Sequence, residues 1–243
     1  MCKNILIIQH LPNLTPGIIL DFLIEDQYNL KTIQLDQNQK IPYDLSIYDA
    51  MLCMGGPMDT WMEKEYPWLI EEKLKIKDFV LNEKKPYLGF CLGSQILGEI
   101  LGGKIVKSSP PEIGILDVFM TEKIKEDKVF FNFPRNIKAL QWHSYEVSEL
   151  ENNKDVIVLG SSLITKYQIF KYQNHAYGVQ FHTEIKEGSV NELARIPQLN
   201  KSLKVNLGFG ALKKFNDDAS KYMSSMNDNA RNLYNNFKNL MTW

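Results

Sequence analysis

The chain has few cysteines, almost no net charge and no long apolar run. Its three cysteines, Cys2, Cys53 and Cys91, are too few and too widely spaced for a disulfide framework or a C-x-x-C metal site. A net charge of −1 gives no sign of a surface that binds nucleic acid or a membrane. The sequence also has no cleavable leader pattern and no apolar run near the roughly 18 residues of a spanning helix. We therefore expect a reduced, cytoplasmic protein without nucleic-acid or membrane partners.

The first hundred residues alternate between buried strand-like runs and helix-like segments. Strands are predicted over 4–9, 31–35, 48–54 and the run before Cys91, and helices over 16–26 and 67–81. Thr15 is placed to cap the first of these helices, with Pro16 at its first position. Strands that alternate with helices indicate an α/β fold, in which a mostly parallel central sheet is flanked by helices on both faces.

The pattern changes after residue 104. Short strand-like runs with little helical period are predicted at 104–106, 115–121, 137–141, 145–147, 156–161, 166–172 and 176–181. Some of them extend the main sheet, and the others form a small antiparallel β layer. From about residue 187 the chain is helical again, most clearly over 216–240. Without a linker, repeat or low-complexity tract, we expect one domain over 1–243, with a helical C-terminal extension from about 187.

Cys91 lies at the centre of the run Gly89-Phe90-Cys91-Leu92-Gly93, between a predicted strand and a predicted helix. Glycines on either side allow the sharp turn that lifts a nucleophile out of the backbone, as serine is lifted in the α/β-hydrolases. The start of a helix also favours the thiolate form of a cysteine. A buried structural cysteine in a βα turn fits the same short motif, and the motif alone does not decide between the two.

A cysteine nucleophile needs a base, and the base needs an orienting group. Of four histidines, His182 follows a strand-like run, and Glu184 comes two residues later. Positions i and i+2 of an extended segment project to the same side, so Glu184 is placed to bond one imidazole nitrogen while the other faces a thiolate. A satisfied structural histidine at a strand end is the competing interpretation.

Gly55-Gly56-Pro57 ends another predicted parallel strand. Ligands of such sheets bind beyond the carboxyl ends of the strands, where paired glycines expose backbone N–H groups. One interpretation is a tight turn before a helix. The other is half of an oxyanion hole, with the N–H of Leu92 as the second donor.

Three stretches carry a wider pattern: Met54-Gly55-Gly56-Pro57-Met58, Gly89-Phe90-Cys91-Leu92-Gly93-Ser94-Gln95 and Gly178-Val179-Gln180-Phe181-His182-Thr183-Glu184. In this order they resemble the class I, or triad-type, glutamine amidotransferases, over roughly residues 45 to 186. The chain is most similar to the stand-alone branch near the glutaminase domain of GMP synthetase. The resemblance implies a flavodoxin-like fold and no cofactor or metal. Thr183 departs from the family, which usually has proline there, so the stiffness of this turn is open.

The resemblance also implies roles for individual residues. The implied catalytic groups are the nucleophile Cys91, the acid and base His182 and the orienting Glu184. The implied oxyanion-hole donors are the backbone N–H groups of Gly56 and Leu92. The implied substrate-binding groups are Gly55, Gln95 and the backbone around His143, Ser144 and Tyr145. Cys2 and Cys53 have neither an elbow nor a charged partner in the pattern, so we expect both to be inert.

These residues predict hydrolysis of the γ-amide of glutamine through a cysteine γ-glutamyl thioester, with ammonia passed to an acceptor. No P-loop is present, so a separate synthetase or acceptor subunit is one expected partner. A stand-alone hydrolase of γ-glutamyl peptides or γ-glutamyl amines is the alternative. A non-catalytic binding module on the same fold is a third interpretation. A metal site built from Cys91, His143, His182 and Glu184 is a fourth, although no ligand spacing supports it.

Overall fold

Nine strands form one hydrogen-bonded sheet in the computed structural model, which describes residues 3–242. The strands are β1 (Asn4–Gln9), β2 (Asn29–Gln34), β3 (Ala50–Cys53), β4 (Tyr87–Phe90), β5 (Lys104–Met120), β6 (Asn136–Ser148), β7 (Val156–Ser161), β8 (Ile169–Tyr172) and β9 (Ala176–Val179). The α-helices are α1 (Ile18–Glu25), α2 (Trp68–Lys77), α3 (Leu92–Ile100), α4 (Ser189–Leu193), α5 (Pro197–Leu207) and α6 (Ala211–Lys238).

The strand order is β2-β1-β3-β4-β9-β8-β7-β5-β6. The first five strands in this order are parallel to one another, and the remaining four continue the sheet in antiparallel pairs. The predicted fold class, a mostly parallel central sheet flanked by helices, is confirmed; the strands expected to form a small antiparallel β layer continue that same sheet. The carboxyl ends of β1, β3, β4 and β9 meet at one edge of the sheet, where ligands of such folds bind.

Two apolar layers hold the parallel strands between helices. In β1, Ile5 and Ile7 face the layer that contains α1 and the C-terminal half of α6, because alternate residues of a strand face opposite sides. Leu6 and Ile8 face the layer that contains α2 and α3. All four side chains are fully buried, and burial of each contributes on the order of 1.5–3 kcal/mol.

A third apolar cluster joins the C-terminal helices to the antiparallel strands. It brings side chains of α4, α5 and the first half of α6 against the β5–β6 pair, with Trp142 on Phe215 at a ring-centroid distance of 5.0 Å. Helices α4, α5 and α6 lie in the segment from residue 189 to residue 238. That residues 1–243 form a single domain stays a prediction.

Some element boundaries differ from the sequence expectation. The first helix begins at Ile18 and not at Pro16, because Gly17 at its N-cap has a φ of 56°. Thr15 accepts a hydrogen bond from the Gly17 N–H and does not cap the helix as predicted. The runs 104–106 and 115–121 belong to one long strand, β5, whose pairing with β6 is irregular between Lys107 and Glu112. No helix within residues 3–242 is both long and apolar enough to span a membrane.

Candidate active site

Cys91 occupies a strained turn between β4 and α3. Its φ of 49° and ψ of −102° are rare for a residue with a side chain, and such a conformation costs on the order of 1–3 kcal/mol. Two backbone bonds hold it: the Cys91 N–H donates to the Val179 carbonyl at 2.8 Å, and the Gln95 N–H donates to the Cys91 carbonyl at 3.0 Å. The elbow predicted from the sequence is therefore present.

The glycines of the elbow allow close packing around it. A Cβ on Gly89 would lie 2.6 Å from the backbone of Gly93, and a Cβ on Gly93 would lie 2.3 Å from the carbonyl oxygen of Cys53. Both distances are much shorter than a van der Waals contact between heavy atoms. Strand β4, helix α3 and strand β3 therefore approach more closely than side chains at these two positions permit.

His182 lies beside Cys91, just beyond the end of β9. Its backbone forms an isolated two-bond bridge with Leu140, which fixes the position of the residue on the sheet edge. The His182 Nδ1 lies 2.6 Å from Oε1 of Glu184, and a Cβ built on Gly55 would lie within 3.6 Å of both the His182 Nε2 and the Cys91 Cβ. The structure thus brings together the three residues of the predicted triad.

Two helices support the backbone of Glu184. The Ile18 N–H, the first of α1, donates to the Glu184 carbonyl at 2.7 Å. Gly17 makes this approach possible, because a Cβ there would lie 1.9 Å from the same oxygen. From α6, Asn227 donates through Nδ2 to the carbonyl of Ile185 at 2.8 Å and to that of Thr183 at 3.4 Å. These contacts hold the turn in which Thr183 replaces the usual proline.

The surroundings of His182 favour its charged form. Burial disfavours the imidazolium, but the Glu184 carboxylate and the interaction with Cys91 outweigh burial and raise the pKa of His182 to about 10. At neutral pH the ring is therefore protonated. It is placed to donate a proton to a group bound beside the Cys91 sulfur.

The predicted oxyanion donors lie beside the elbow. A Cβ built on Gly55 would be 3.3 Å from Cε1 of His182 and 3.4 Å from Cβ of Cys91, so the Gly55–Gly56 loop lines the space next to the thiol. Within residues 3–242, the N–H groups of Gly56 and Leu92 donate to no protein acceptor. Both remain available to an oxygen bound there.

The other predicted substrate-binding residues form a separate polar network. The Tyr145 carbonyl accepts hydrogen bonds from Nε2 of Gln95 at 2.9 Å and from Nδ1 of His143 at 3.0 Å. The other nitrogen of His143 faces Gln141 and the buried carboxylate of Glu112. Gln95, His143, Ser144 and Tyr145 do not line the pocket that contains Cys91.

That pocket has a volume of about 210 Å³ and opens beside Cys91 and His182. The glycines Gly55 and Gly56 form one side of it. Its apolar walls are formed by Leu14, Met54, Trp142, Ile185, Leu193 and Leu199. Three of these six follow β9: Ile185 precedes α4, Leu193 ends α4, and Leu199 lies in α5. The C-terminal helices thus shape one side of the space next to the thiol.

A second buried cluster of polar side chains contacts the Gly55–Gly56 loop through His10. His10, Cys53 and Glu72 are the one group of possible metal ligands found close together in the described part of the chain. The Cys53 thiol donates to Glu72 Oε1 at 3.3 Å, so Cys53 has a charged partner, contrary to expectation. Burial and this negative charge raise the pKa of Cys53 well above its usual value, and the thiol stays neutral. Cys2 lies outside the described residues.

Comparison with known proteins places the chain in a family. The profile for glutamine amidotransferase class-I matches residues 18–193. The chain belongs to this family. The glutamine-hydrolysing GMP synthase subunit of Ignicoccus hospitalis is 34% identical to it over 146 residues, covering 60% of this chain and 71% of that protein. The chain is thus an enzyme of the cysteine-dependent amidotransferase and hydrolase class, similar to the glutaminase part of GMP synthase.

Solved structures share the fold over the whole chain. A glutamine amidotransferase from Thermotoga maritima is 21% identical, with a TM-score of 0.85 and complete coverage of both chains. One from Methylobacillus flagellatus is also 21% identical with a TM-score of 0.85, covering 99% of this chain and 96% of that one. The C-terminal helices are therefore part of a recurring form of the amidotransferase fold.

Sequence reasoning missed several residues around the site of this amidotransferase. His10 directly follows the carboxyl end of β1, the sheet edge at which ligands bind, and this position was a usable signal. Glu72 lies on the apolar stripe of α2 between Leu69 and Ile76, where an acidic residue is unexpected. Asn227 gives no such signal, because its role depends on how α6 packs.

The Glu184 carboxylate should control the titration of His182. We expect His182 in the native protein to titrate at about 10 in an NMR titration of the ring signals, and at a clearly lower pH in Glu184→Gln. The pKa of His182 in the folded protein lies above the ordinary value of 6.5. The His182–Glu184 pair therefore stabilises the fold fully below pH 6.5, and this contribution is lost as the pH rises through about 10.

The control is His175, whose pKa is lowered by burial and which should titrate alike in both proteins. A native His182 that titrates below pH 7, or one that Glu184→Gln leaves unmoved, would contradict this account of the site.

Proposed function

We propose that this enzyme hydrolyses the γ-amide of glutamine through a γ-glutamyl thioester on Cys91, releasing glutamate and ammonia. The observation that carries the proposal is the contact of the elbow cysteine with His182, which is in turn bonded to Glu184 at 2.6 Å. Acyl transfer of this kind requires a nucleophile, a group that acts as acid and base, and a carboxylate that orients that group.

In the first step Cys91 attacks as a thiolate beside the protonated His182, and its sulfur forms a C–S bond with the side-chain carbonyl carbon of glutamine. The N–H groups of Gly56 and Leu92 stabilise the resulting oxyanion. His182 gives its proton to the leaving nitrogen, the C–N bond breaks and ammonia departs. His182 then takes a proton from water as the water oxygen attacks the thioester. The C–S bond breaks, glutamate leaves, and the thiolate and the protonated imidazole are restored.

For the γ-glutamyl half we propose Gly55, Gln95 and the backbone at His143, Ser144 and Tyr145 as binding groups. For the ammonia we propose a separate acceptor protein, because the GMP synthase relatives are named as one subunit of that enzyme. We also propose the cytoplasmic location expected from the sequence, a compartment in which free thiols stay reduced.

Loss of the thiol should abolish turnover. Cys91→Ser and Cys91→Ala should lower kcat for glutamine hydrolysis by at least about 10⁴-fold while the far-UV CD spectrum and Tm stay close to native. A chloroketone analogue of glutamine should label Cys91 and spare Cys53, which is fully buried. Near-native turnover in either variant, or a label on Cys53 in the native protein, contradicts the assignment of the nucleophile.

The apolar pocket favours a second candidate function, the hydrolysis of γ-glutamyl amides with larger amines. If the γ-glutamyl half binds toward Gln95 and Tyr145, which lie outside the pocket, the pocket is left to the leaving group. Ammonia is about the size of water, whose share of liquid volume is about 30 Å³. A space of about 210 Å³ with apolar walls instead suits an amine that carries several carbon atoms.

Kinetics on the isolated protein separate the two candidates. An acceptor-dependent glutaminase should be slow alone and should prefer glutamine, whereas the hydrolase should show a higher kcat/KM for γ-glutamyl amides of larger apolar amines. In the second case Leu199→Trp, which narrows the pocket, should lower kcat/KM for the larger amide by about tenfold and spare glutamine.

The matched control is Leu163→Trp, at a residue that is 89% exposed and outside the pocket. A preference for glutamine together with equal losses for both substrates in Leu199→Trp rejects the hydrolase candidate.

A further inference from the structure

A fully buried histidine, His10, hydrogen-bonds the backbone of the Gly55–Gly56 loop. His10 and Glu72 are both 0% exposed, and Nε2 of His10 lies 2.8 Å from Oε1 of Glu72. The other ring nitrogen, Nδ1, lies 2.9 Å from the carbonyl oxygen of Gly55. A carbonyl can only accept, so Nδ1 carries the hydrogen and donates it. The indole of Trp68 stacks on the imidazole at a centroid distance of 5.6 Å and limits its rotation.

This hydrogen bond sets the direction of the next N–H. In a trans peptide the C=O and the following N–H point in opposite directions. The single cis bond found in residues 3–242 is Ser109–Pro110, so the Gly55–Gly56 peptide is trans. With the Gly55 carbonyl turned toward His10, the Gly56 N–H points away from His10, to the opposite side of the loop.

The loop itself does not determine that orientation. Two consecutive glycines have wide φ and ψ freedom, and a peptide between them turns over at low cost. The loop is also tightly packed, since a Cβ on Gly56 would lie 2.5 Å from Sδ of Met58 and 2.7 Å from Cδ2 of Leu92. A side chain at Gly56 is excluded, and the hydrogen bond from a neighbouring group to the Gly55 carbonyl fixes which way the peptide faces. His10 is that neighbour.

Glu72 holds the other ring nitrogen of His10. Its Oε1 receives both the His10 ring and the Cys53 thiol, and its Oε2 has no partner among the described residues. Burial lowers the pKa of His10, but the Glu72 charge and the bond to the Gly55 carbonyl together raise it. The arrangement parallels the bond of Glu184 to His182 on the other side of the catalytic cysteine.

We propose that His10, oriented by Glu72, is a positioning residue that holds the Gly56 N–H as an oxyanion donor. The inference rests on the proposed function, because it assumes a tetrahedral oxyanion formed at Cys91. His10 touches neither the substrate nor the thiol and acts through the Gly55–Gly56 peptide. Loss of the hydrogen bond lets the peptide turn its carbonyl toward the site, which removes one donor and brings in an acceptor.

Two His10 variants separate positioning from packing. His10→Leu fills the space without a donor and should lower kcat by about 10- to 100-fold with little change in KM, since a lost oxyanion donor acts on the transition state. His10→Asn places an amide donor near the position of Nδ1 and should restore most of kcat. Glu72→Gln keeps a polar partner for the ring and should give an intermediate loss.

The matched control is His175, whose Nε2 hydrogen-bonds the carbonyl of Val80 at 2.9 Å away from the catalytic pocket. His175→Leu removes a similar bond and should lower Tm without lowering kcat. Alkylation of Cys91 by iodoacetamide is a second readout. This displacement forms no oxyanion, so its rate should be the same in native protein, His10→Leu and His10→Asn.

A crystal structure of His10→Leu completes the experiment, with the Gly55–Gly56 peptide expected to turn over or adopt two orientations. A native peptide orientation with near-native kcat overturns the proposal, as does an equal loss of kcat in His10→Leu and His10→Asn.

If the native protein hydrolyses no γ-glutamyl amide, the proposed function fails, and the peptide orientation in His10→Leu still decides whether His10 holds the Gly55–Gly56 peptide. If His10→Leu does not fold, the kcat values of His10→Asn and Glu72→Gln are compared with that of the native protein. A kcat of Glu72→Gln equal to the native value rejects the role of the His10–Glu72 pair.

Discussion

The strained backbone of Cys91 is the constraint on which the rest of the site depends. A positive φ at a residue with a side chain persists only where the surroundings enforce it. Here β4 enters the turn, α3 leaves it, and a bond to Val179 of β9 holds its middle. The missing side chains of Gly89 and Gly93 let the elements close around it. The unfavourable conformation is offset by the packing of the sheet centre, which is where the parallel strands are most deeply buried.

From that point the site is assembled from the ends of four neighbouring strands. β4 supplies Cys91, β9 leads to His182, β3 leads to the glycine loop, and β1 leads to His10. Each group is held by a second one: Glu184 holds His182, and Glu72 holds His10. The two carboxylates have different supports. Helix α1 and Asn227 hold the backbone at Glu184, whereas Glu72 is carried on the buried face of α2. The preorganisation of the site therefore depends on helices from both ends of the chain.

Local patterns predicted the parts of the molecule that local chemistry decides. The strand–turn–helix around Cys91 and the spacing of His182 and Glu184 follow from glycine positions and strand period, and the structure places these groups together. The walls of the pocket could not be predicted, because Leu193 and Leu199 come from helices whose packing is set by the distant β5–β6 pair. The start of α1 was misplaced for the same reason. Gly17 is used for its approach to the Glu184 carbonyl, which lies far along the chain, and no capping rule contains that contact.

The central claim is that turnover passes through a covalent γ-glutamyl thioester on Cys91. Its most direct test is acid quenching of the enzyme during steady-state turnover of glutamine, or of the γ-glutamyl amide that it prefers, followed by mass spectrometry of the protein. The account predicts an adduct with the mass of one γ-glutamyl group, located on the Cys91 peptide and lost when the substrate is exhausted. It also predicts that the adduct accumulates further when Glu184→Gln slows its hydrolysis. Release of glutamate at the full rate with no adduct under any quench condition, or with an adduct on another residue, would contradict the account.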